Sequence, residues 1–179
     1  MKDRELLIGV SGGIAAYKTA ALVSRLVQAG AGVTVVMTRS ATRLVGPKTF
    51  EALTGRPVRT RVFGAGAHPH IELANSAELL CVAPATANIL AKAAIGLADD
   101  LLSTLLLSFD GPVVFAPAMN THMWEKPPVQ RNVAQLRSDG AVLIGPEQGY
   151  LSCGASGAGR MAEPETIFQA IADILDSRP

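Results

Sequence analysis

The chain has 179 residues, a net charge of +1, 49% hydrophobic residues, 17% charged residues and only 4% aromatic ones. That length suits one domain over residues 1–179, with a core that removes roughly two-thirds or more of the unfolded surface from water, and the near-zero charge gives no global attraction for nucleic acid or a membrane surface. The surplus of small aliphatics points to helices packed closely on a sheet and to burial between subunits, while two cysteines, Cys81 and Cys153, make no disulfide framework and indicate a reduced, cytoplasmic compartment.

The first apolar stretch, LLIGVS at 6–11, reads as a buried strand. It is too short for the core of a secretory signal, and no run approaches the ~18 apolar residues of a membrane span. From 14 to 29, Ala15, Leu22, Val23, Leu26 and Val27 share one helical face, with Lys18, Arg25 and Gln28 opposite; Gly30 closes this helix. Further strands are expected at 32–38, 77–85, 111–118 and 141–146, with helical patterns at 87–94, 101–108 and 129–138 and a last helix from 164 to 175. The stretch 58–70 has the weakest pattern and reads as a loop or flap. Continuous apolar strands separated by helices imply an α/β fold: an open, parallel, Rossmann-like (flavodoxin-like) sheet with helices on both faces.

Ligands of such sheets lie beyond the carboxyl ends of the strands. Ser11-Gly12-Gly13 forms a strand-to-helix turn whose free amides suit a phosphate, although a tight turn alone explains the glycines equally well. The second strand ends in Thr38-Arg39-Ser40, where a nicotinamide dinucleotide site needs an acidic residue for the ribose. Hydroxyls and a cation there leave a mononucleotide such as FMN, or an NADP-type phosphate. In APATAN, Thr86 and Asn88 either meet a ligand or cap the next helix. In PAMNTHMW, Asn120 stands among Met119, Met123 and Trp124; a buried amide needs partners, and a substrate carboxylate is one.

His68 and His70 lack the further ligands of a metal signature, so no metal is expected, and His70 is either a structural histidine or a base. Cys81 lies inside an apolar run and reads as a small core residue. Cys153, in GYLSCGASGAGRM, sits among glycines that suggest a mobile loop. Its thiol is either incidental or a proton donor or nucleophile.

Four segments then occur in order: HIEL at 70–73, APATAN at 83–88, PAMNTHMW at 117–124 and SCGASGAGRMAEP at 152–164. Together they resemble the homo-oligomeric flavin-containing cysteine decarboxylases over about residues 5–175, nearest to those acting on 4'-phospho-N-pantothenoylcysteine in coenzyme A biosynthesis. The resemblance implies an FMN enzyme that oxidises the sulfur-bearing carbon to a thioaldehyde, loses CO2 to an ene-thiolate and re-reduces it to 4'-phosphopantetheine. It assigns His70 as base, Asn120 as the carboxylate holder and Cys153 as the final acid. It places FMN at Ser11, Gly12, Gly13, Ile14, Thr38, Arg39, Ser40, Thr86, Ala87, Asn88, Ile89 and Ala118. Substrate would meet Met119, Asn120, Tyr150, Leu151 and Ser152. Lys18 and Asp99-Asp100 fall in family-like segments without an assigned role. Ser76 and Ile89 stand where the family often has Trp and Thr, which bears on the FMN contacts.

The resemblance also implies a homotrimer, or four trimers together, with a small-molecule substrate and neither nucleic acid nor membrane as partner. His70 and Asn120 are then open to coming from different chains. The chain is read either as a free-standing enzyme or as part of a bifunctional protein. The alternatives are oxidative decarboxylation of a peptide's C-terminal cysteine, which stops at the ene-thiol, a flavin prenyltransferase, an NADP-dependent reductase, and a non-catalytic phosphatase-regulatory relative. The Cys-Gly segment argues against the first, and the lack of a long acidic extension against the last.

Overall fold

The computed structural model describes residues 1–62, 68–152, 154 and 156–177. Strands β1 (Glu5–Val10), β2 (Gly32–Met37), β3 (Leu79–Ala85), β4 (Val113–Pro117) and β5 (Val142–Leu143) form one parallel sheet in the order β2-β1-β3-β4-β5. This is the flavodoxin-type order, whose switch point lies between β1 and β3.

Alternation along the strands divides the core into two layers. Leu6, Ile8 and Val10 of β1 and Cys81 and Ala83 of β3 face one way. They meet Leu22, Val23 and Leu26 of α1 (Ala16–Gln28) and Ile167, Ile171 and Leu175 of the C-terminal helix Pro164–Asp176. Leu7, Leu80, Val82 and Phe115 face the other way, against Leu90, Leu102, Leu105, Val133 and Leu136. The strands are therefore apolar at nearly every position because both faces are covered.

Three helices that the apolar periodicity does not reveal are α2 (Pro47–Thr54), α3 (Pro69–Asn75) and the four-residue Thr121–Trp124, and the first two share a signal. Each of those two has proline in its first turn, and Gly55 ends α2 in the left-handed region, at φ 67°. Helices α4 (Ala87–Ile95) and α5 (Leu101–Ser108) follow β3. Asp99-Asp100 forms the start of α5: Asp100 accepts the Ser103 N–H at 2.9 Å, Ser103 Oγ accepts the Asp100 N–H at 3.0 Å, and Lys92 holds both carboxylates. That pair is a helix cap. After β4 come α6 (Thr121–Trp124) and α7 (Pro127–Ser138).

The expected strand at 141–146 is cut to two residues, because Gly145 at φ 80° turns the chain away. The glycine-rich stretch beyond it is largely an antiparallel hairpin of β6 (Glu147–Tyr150) and β7 (Ser156–Arg160), which corrects the loop expectation; α8 (Pro164–Asp176) ends the fold. In the 58–70 stretch, Arg59 bridges to Val36 alongside β2 and α3 begins at Pro69, while residues 63–67 of the expected loop lie outside the described residues.

Cys81 is fully buried, and burial pushes its thiol up to about 12. Alkylation of the folded protein with iodoacetamide at pH 8 is expected to spare Cys81 and to modify it only in denaturant, as read by peptide mass mapping.

Candidate active site

A cleft of about 810 Å³ opens at the carboxyl ends of β1, β3 and β4. Its size lies within the range of ~300–1,000 Å³ usual for ligand pockets. Gly12, Gly13 and Ile14 line it after β1, Thr86 and Ala87 after β3, Ala118, Met119 and Asn120 after β4, and Tyr150, Leu151 and Ser152 from the hairpin side. The cleft thus collects most of the residues expected at a flavin and substrate site.

The two turns flanking the switch point are tied together. Buried Ser11 donates its hydroxyl to the Pro84 carbonyl at 2.7 Å and accepts the Thr86 N–H at 3.1 Å. A side chain at Gly12 would collide with Ser40 Cβ, and one at Gly13 would press on Pro84 and Thr86 at 3.2–3.3 Å. Bare backbone is what the space allows. The N-cap residues of α1 and α4, Ala15 and Thr86, make no side-chain capping bond. The first turn of α4 is thus left without a capping side chain, as an anion site requires, whereas in α1 the Ala16 and Lys18 N–H groups donate to the Gly13 and Ala15 carbonyls. The chemistry of this cradle, bare glycine backbone beside an uncapped helix start, fits a flavin mononucleotide.

Asn120 caps α6, its Oδ1 accepting the His122 N–H at 2.8 Å. The β7 strand runs directly against this turn. Met119 N–H donates to the Gly159 carbonyl at 2.9 Å, and a Cβ on Gly159 would overlap the Met119 carbonyl oxygen. Gly159 also sits at φ 137°. The Gly159→Ala variant is therefore expected to lose about 1–3 kcal/mol of stability through strain at that position, read by urea denaturation, with a raised KM as the hairpin lifts from Asn120.

Not every expected residue reaches the cleft. Thr38, Arg39 and Ser40 do not line it, because β2 is the sheet edge beyond β1; Thr38 Oγ1 instead accepts the Ala41 N–H, and Ser40 reaches the site only by abutting Gly12. Asn88 is exposed outside the cleft wall, and Ile89 is 1% exposed, its side chain committed to the core. Ser76 ends α3, its hydroxyl donating to the Leu73 carbonyl at 2.8 Å. His70 lies in the first turn of α3 and does not line the cleft; among the described residues its buried Nδ1 has no hydrogen-bond partner, and its ring meets that of His68 edge-on at 6.3 Å. Cys153 lies outside the described residues.

Sequence reasoning missed a charged wall of the cleft. Lys18 donates to Glu163 Oε1 at 2.9 Å, Arg160 also pairs with Glu163, and Glu147 lies 3.7 Å from Arg160. The Lys18 hydrogen bond holds the Glu163 carboxyl below its usual range, against the opposing effect of burial. The pattern put Lys18 on the solvent face, yet its side chain is only 14% exposed. Only the long-range contact with residues 161–163 explains this, and no local signal carries it.

Residues 1–176 match the family described as Flavoprotein. The chain belongs to the flavoprotein family. It is 51% identical over 172 residues to the coenzyme A biosynthesis bifunctional protein CoaBC of Bacillus subtilis, covering 94% of this chain and 42% of that protein. The chain thus spans less than half the length of that curated relative. Among solved structures, a cysteine-to-serine mutant of a PPC decarboxylase complexed with pantothenoylaminoethenethiol superposes with a TM-score of 0.89 at 31% identity, covering 98% of this chain and all of that one. The FMN-dependent cysteine decarboxylase SpaF gives a TM-score of 0.83 at 37% identity, covering 97% of this flavoprotein and 95% of SpaF. Among the described residues, no helix is long and apolar enough to cross a membrane.

Proposed function

We propose that this flavoprotein is a single domain that decarboxylates 4'-phospho-N-pantothenoylcysteine to 4'-phosphopantetheine, with FMN as its cofactor, in the cytoplasm. The observation that carries the reading is the cleft itself. It sets an asparagine at a strand end, beside a glycine cradle fit for a flavin phosphate and beneath a glycine-dependent hairpin. Similarity to CoaBC proteins and to a PPC decarboxylase supports the substrate.

Bound FMN supplies a two-electron acceptor that is restored at the end of the cycle, so the net reaction is not a redox change. Gly12, Gly13, Ile14, Thr86, Ala87 and Ala118 would hold it, with Ser11 tying the two turns together and Ser40 behind Gly12. The Asn120 amide hydrogen-bonds the substrate carboxylate without adding a cation that would stabilise it against leaving. The His70 imidazole takes a proton from the reacting end of the substrate. The Cys153 thiol returns a proton to the carbon that has lost CO2. Met119, Tyr150, Leu151 and Ser152 border the substrate and limit its contact with water.

The assembly proposed is a homo-oligomer built from trimers, in which His70 of one protomer serves the cleft of another. Two observations support it: His70 stands outside its own chain's cleft wall, and Ile14, Tyr17, Met123 and Tyr150 of that wall expose apolar surface. Similarity to SpaF, an FMN-dependent cysteine decarboxylase, favours keeping a second reading, oxidative decarboxylation of a peptide's C-terminal cysteine. One experiment separates the two: the FMN-loaded protein is incubated with phosphopantothenoylcysteine and the product weighed by mass spectrometry. Loss of CO2 alone is the expected result. Loss of CO2 with two hydrogens supports oxidative chemistry, and unchanged substrate, with a peptide ending in cysteine processed instead, rejects the first reading in favour of the second.

A further inference from the structure

The cleft wall holds one charged network that the proposed chemistry leaves unused. Among the described lining residues, Lys18 and Arg160 are the only lysine or arginine side chains, and Glu163 lies between them. Lys18 comes from α1, far in the chain from Arg160 at the end of β7 and Glu163 just before α8. Each cation is positioned. Lys18 Nζ is aimed by the Met161 carbonyl at 3.5 Å and Glu163 at 2.9 Å. The Arg160 side chain lies flat on Gly149, where a Cβ would come within 2.9 Å of its Cδ. A largely buried lysine and a packed arginine facing a ligand cleft are costly to desolvate unless an anion answers them. Within the chain alone, Glu163 answers both cations, and the second carboxylate nearby, Glu147, lies 3.7 Å from Arg160.

We propose that Lys18 and Arg160 form the subsite for the phosphomonoester of the substrate, and that Glu163 occupies it as an internal counter-ion until the phosphate replaces it. This rests on the substrate reading given above. A phosphomonoester presents about −1.5 to −2 charge and three acceptor oxygens, against one charge and two oxygens for a carboxylate. It can therefore engage both cations at once and displace Glu163 toward solvent, where its side chain is already 43% exposed. The flavin also carries a phosphomonoester, but the glycine turn and the uncapped first turn of α4 provide a separate place for it. The network would thus set selectivity for a phosphorylated substrate over a phosphate-free one.

The test compares KM for phosphopantothenoylcysteine and for pantothenoylcysteine, using FMN-loaded protein. In Lys18→Met, the preference for the phosphorylated substrate is expected to shrink about tenfold or more, as befits loss of a charge-assisted hydrogen bond, and Lys18→Arg should restore part of it. Glu163→Gln should act in the opposite sense and enlarge the preference by lowering KM for the phosphorylated substrate. A purely structural network would instead raise KM for both substrates in both variants, and that result overturns the proposal. Titration of the apoprotein with FMN and with riboflavin closes the remaining path. If Lys18→Met weakens FMN binding alone and leaves the substrate preference intact, the cations serve the flavin phosphate and the proposal fails. If wild-type protein decarboxylates neither substrate, the functional reading falls and this inference with it. Turnover of both substrates with a preference that neither variant alters sinks only the inference.

Discussion

The Cys153→Ser variant is expected to change the product of this flavoprotein as well as its rate. A thiol with a pKa near ~8.5 gives up a proton readily, whereas an alcohol is a far weaker acid. The steps that precede reprotonation need no acid at position 153, so oxidation and CO2 loss continue. The ene-thiol then leaves without being reduced, and its two electrons would stay on the flavin, one product per flavin, until dioxygen takes them. Mass spectrometry should find material that has lost CO2 and two hydrogens, with the fully processed product reduced by about 10²-fold or more, the usual worth of a positioned acid. The capture of pantothenoylaminoethenethiol, an ene-thiol, by a cysteine-to-serine mutant of a PPC decarboxylase supports this expectation. An unchanged product ratio in Cys153→Ser would remove the acid role from Cys153.

The layered sheet was legible in the sequence because its strands are apolar at almost every position and its long helices keep a clear apolar face. Leu6 to Val10 and Leu79 to Ala85 bury nearly every residue, and helix 101–108 lies where its pattern put it. Where packing follows local periodicity, a single sequence suffices. The short elements were hidden for the same reason. Helix α2 buries only Phe50, so periodicity had one residue to work with; the Pro47 start and Gly55 stop were the available signals. The β6–β7 hairpin is harder still. SGAGR has poor strand propensity, and its glycines are required by what lies beneath: a Cβ on Gly157 would strike Thr121, and one on Gly159 the Met119 carbonyl. Composition correctly marked these glycines as unusual. It could not tell freedom to move from freedom to approach.

The candidate site divides along a similar line. Residues just beyond β1, β3 and β4 were predictable because an open parallel sheet delivers its loops to one edge. Thr38–Ser40 lie at the same edge by that rule, yet stand outside the cleft because β2 is one strand too far. Strand order is a tertiary fact, and the motif alone does not supply it. The Lys18–Glu163–Arg160 wall joins residues more than 140 positions apart and depends on α8 returning to α1.

The His70→Asn variant is expected to abolish the first step, lowering kcat by about 10²–10⁴-fold, the range for a positioned base. Anaerobic mixing with substrate should then leave the flavin absorbance unchanged; normal bleaching would count against His70 as the base. The geometry makes a second, stricter demand. His70 does not line its own chain's cleft, whereas Asn120 does. If the two meet across a subunit interface, inactive chains can rescue one another. A His70→Asn chain still offers an intact Asn120, and an Asn120→Ala chain still offers an intact His70. Random co-assembly at equal amounts leaves about one site in four with both groups, so roughly a quarter of wild-type activity should return in a closed symmetric oligomer. Sites built within one chain would return none. A refolded mixture as inactive as its two components would therefore place the base and the carboxylate holder in the same protomer, and His70 would have to reach Asn120 by a movement of α3.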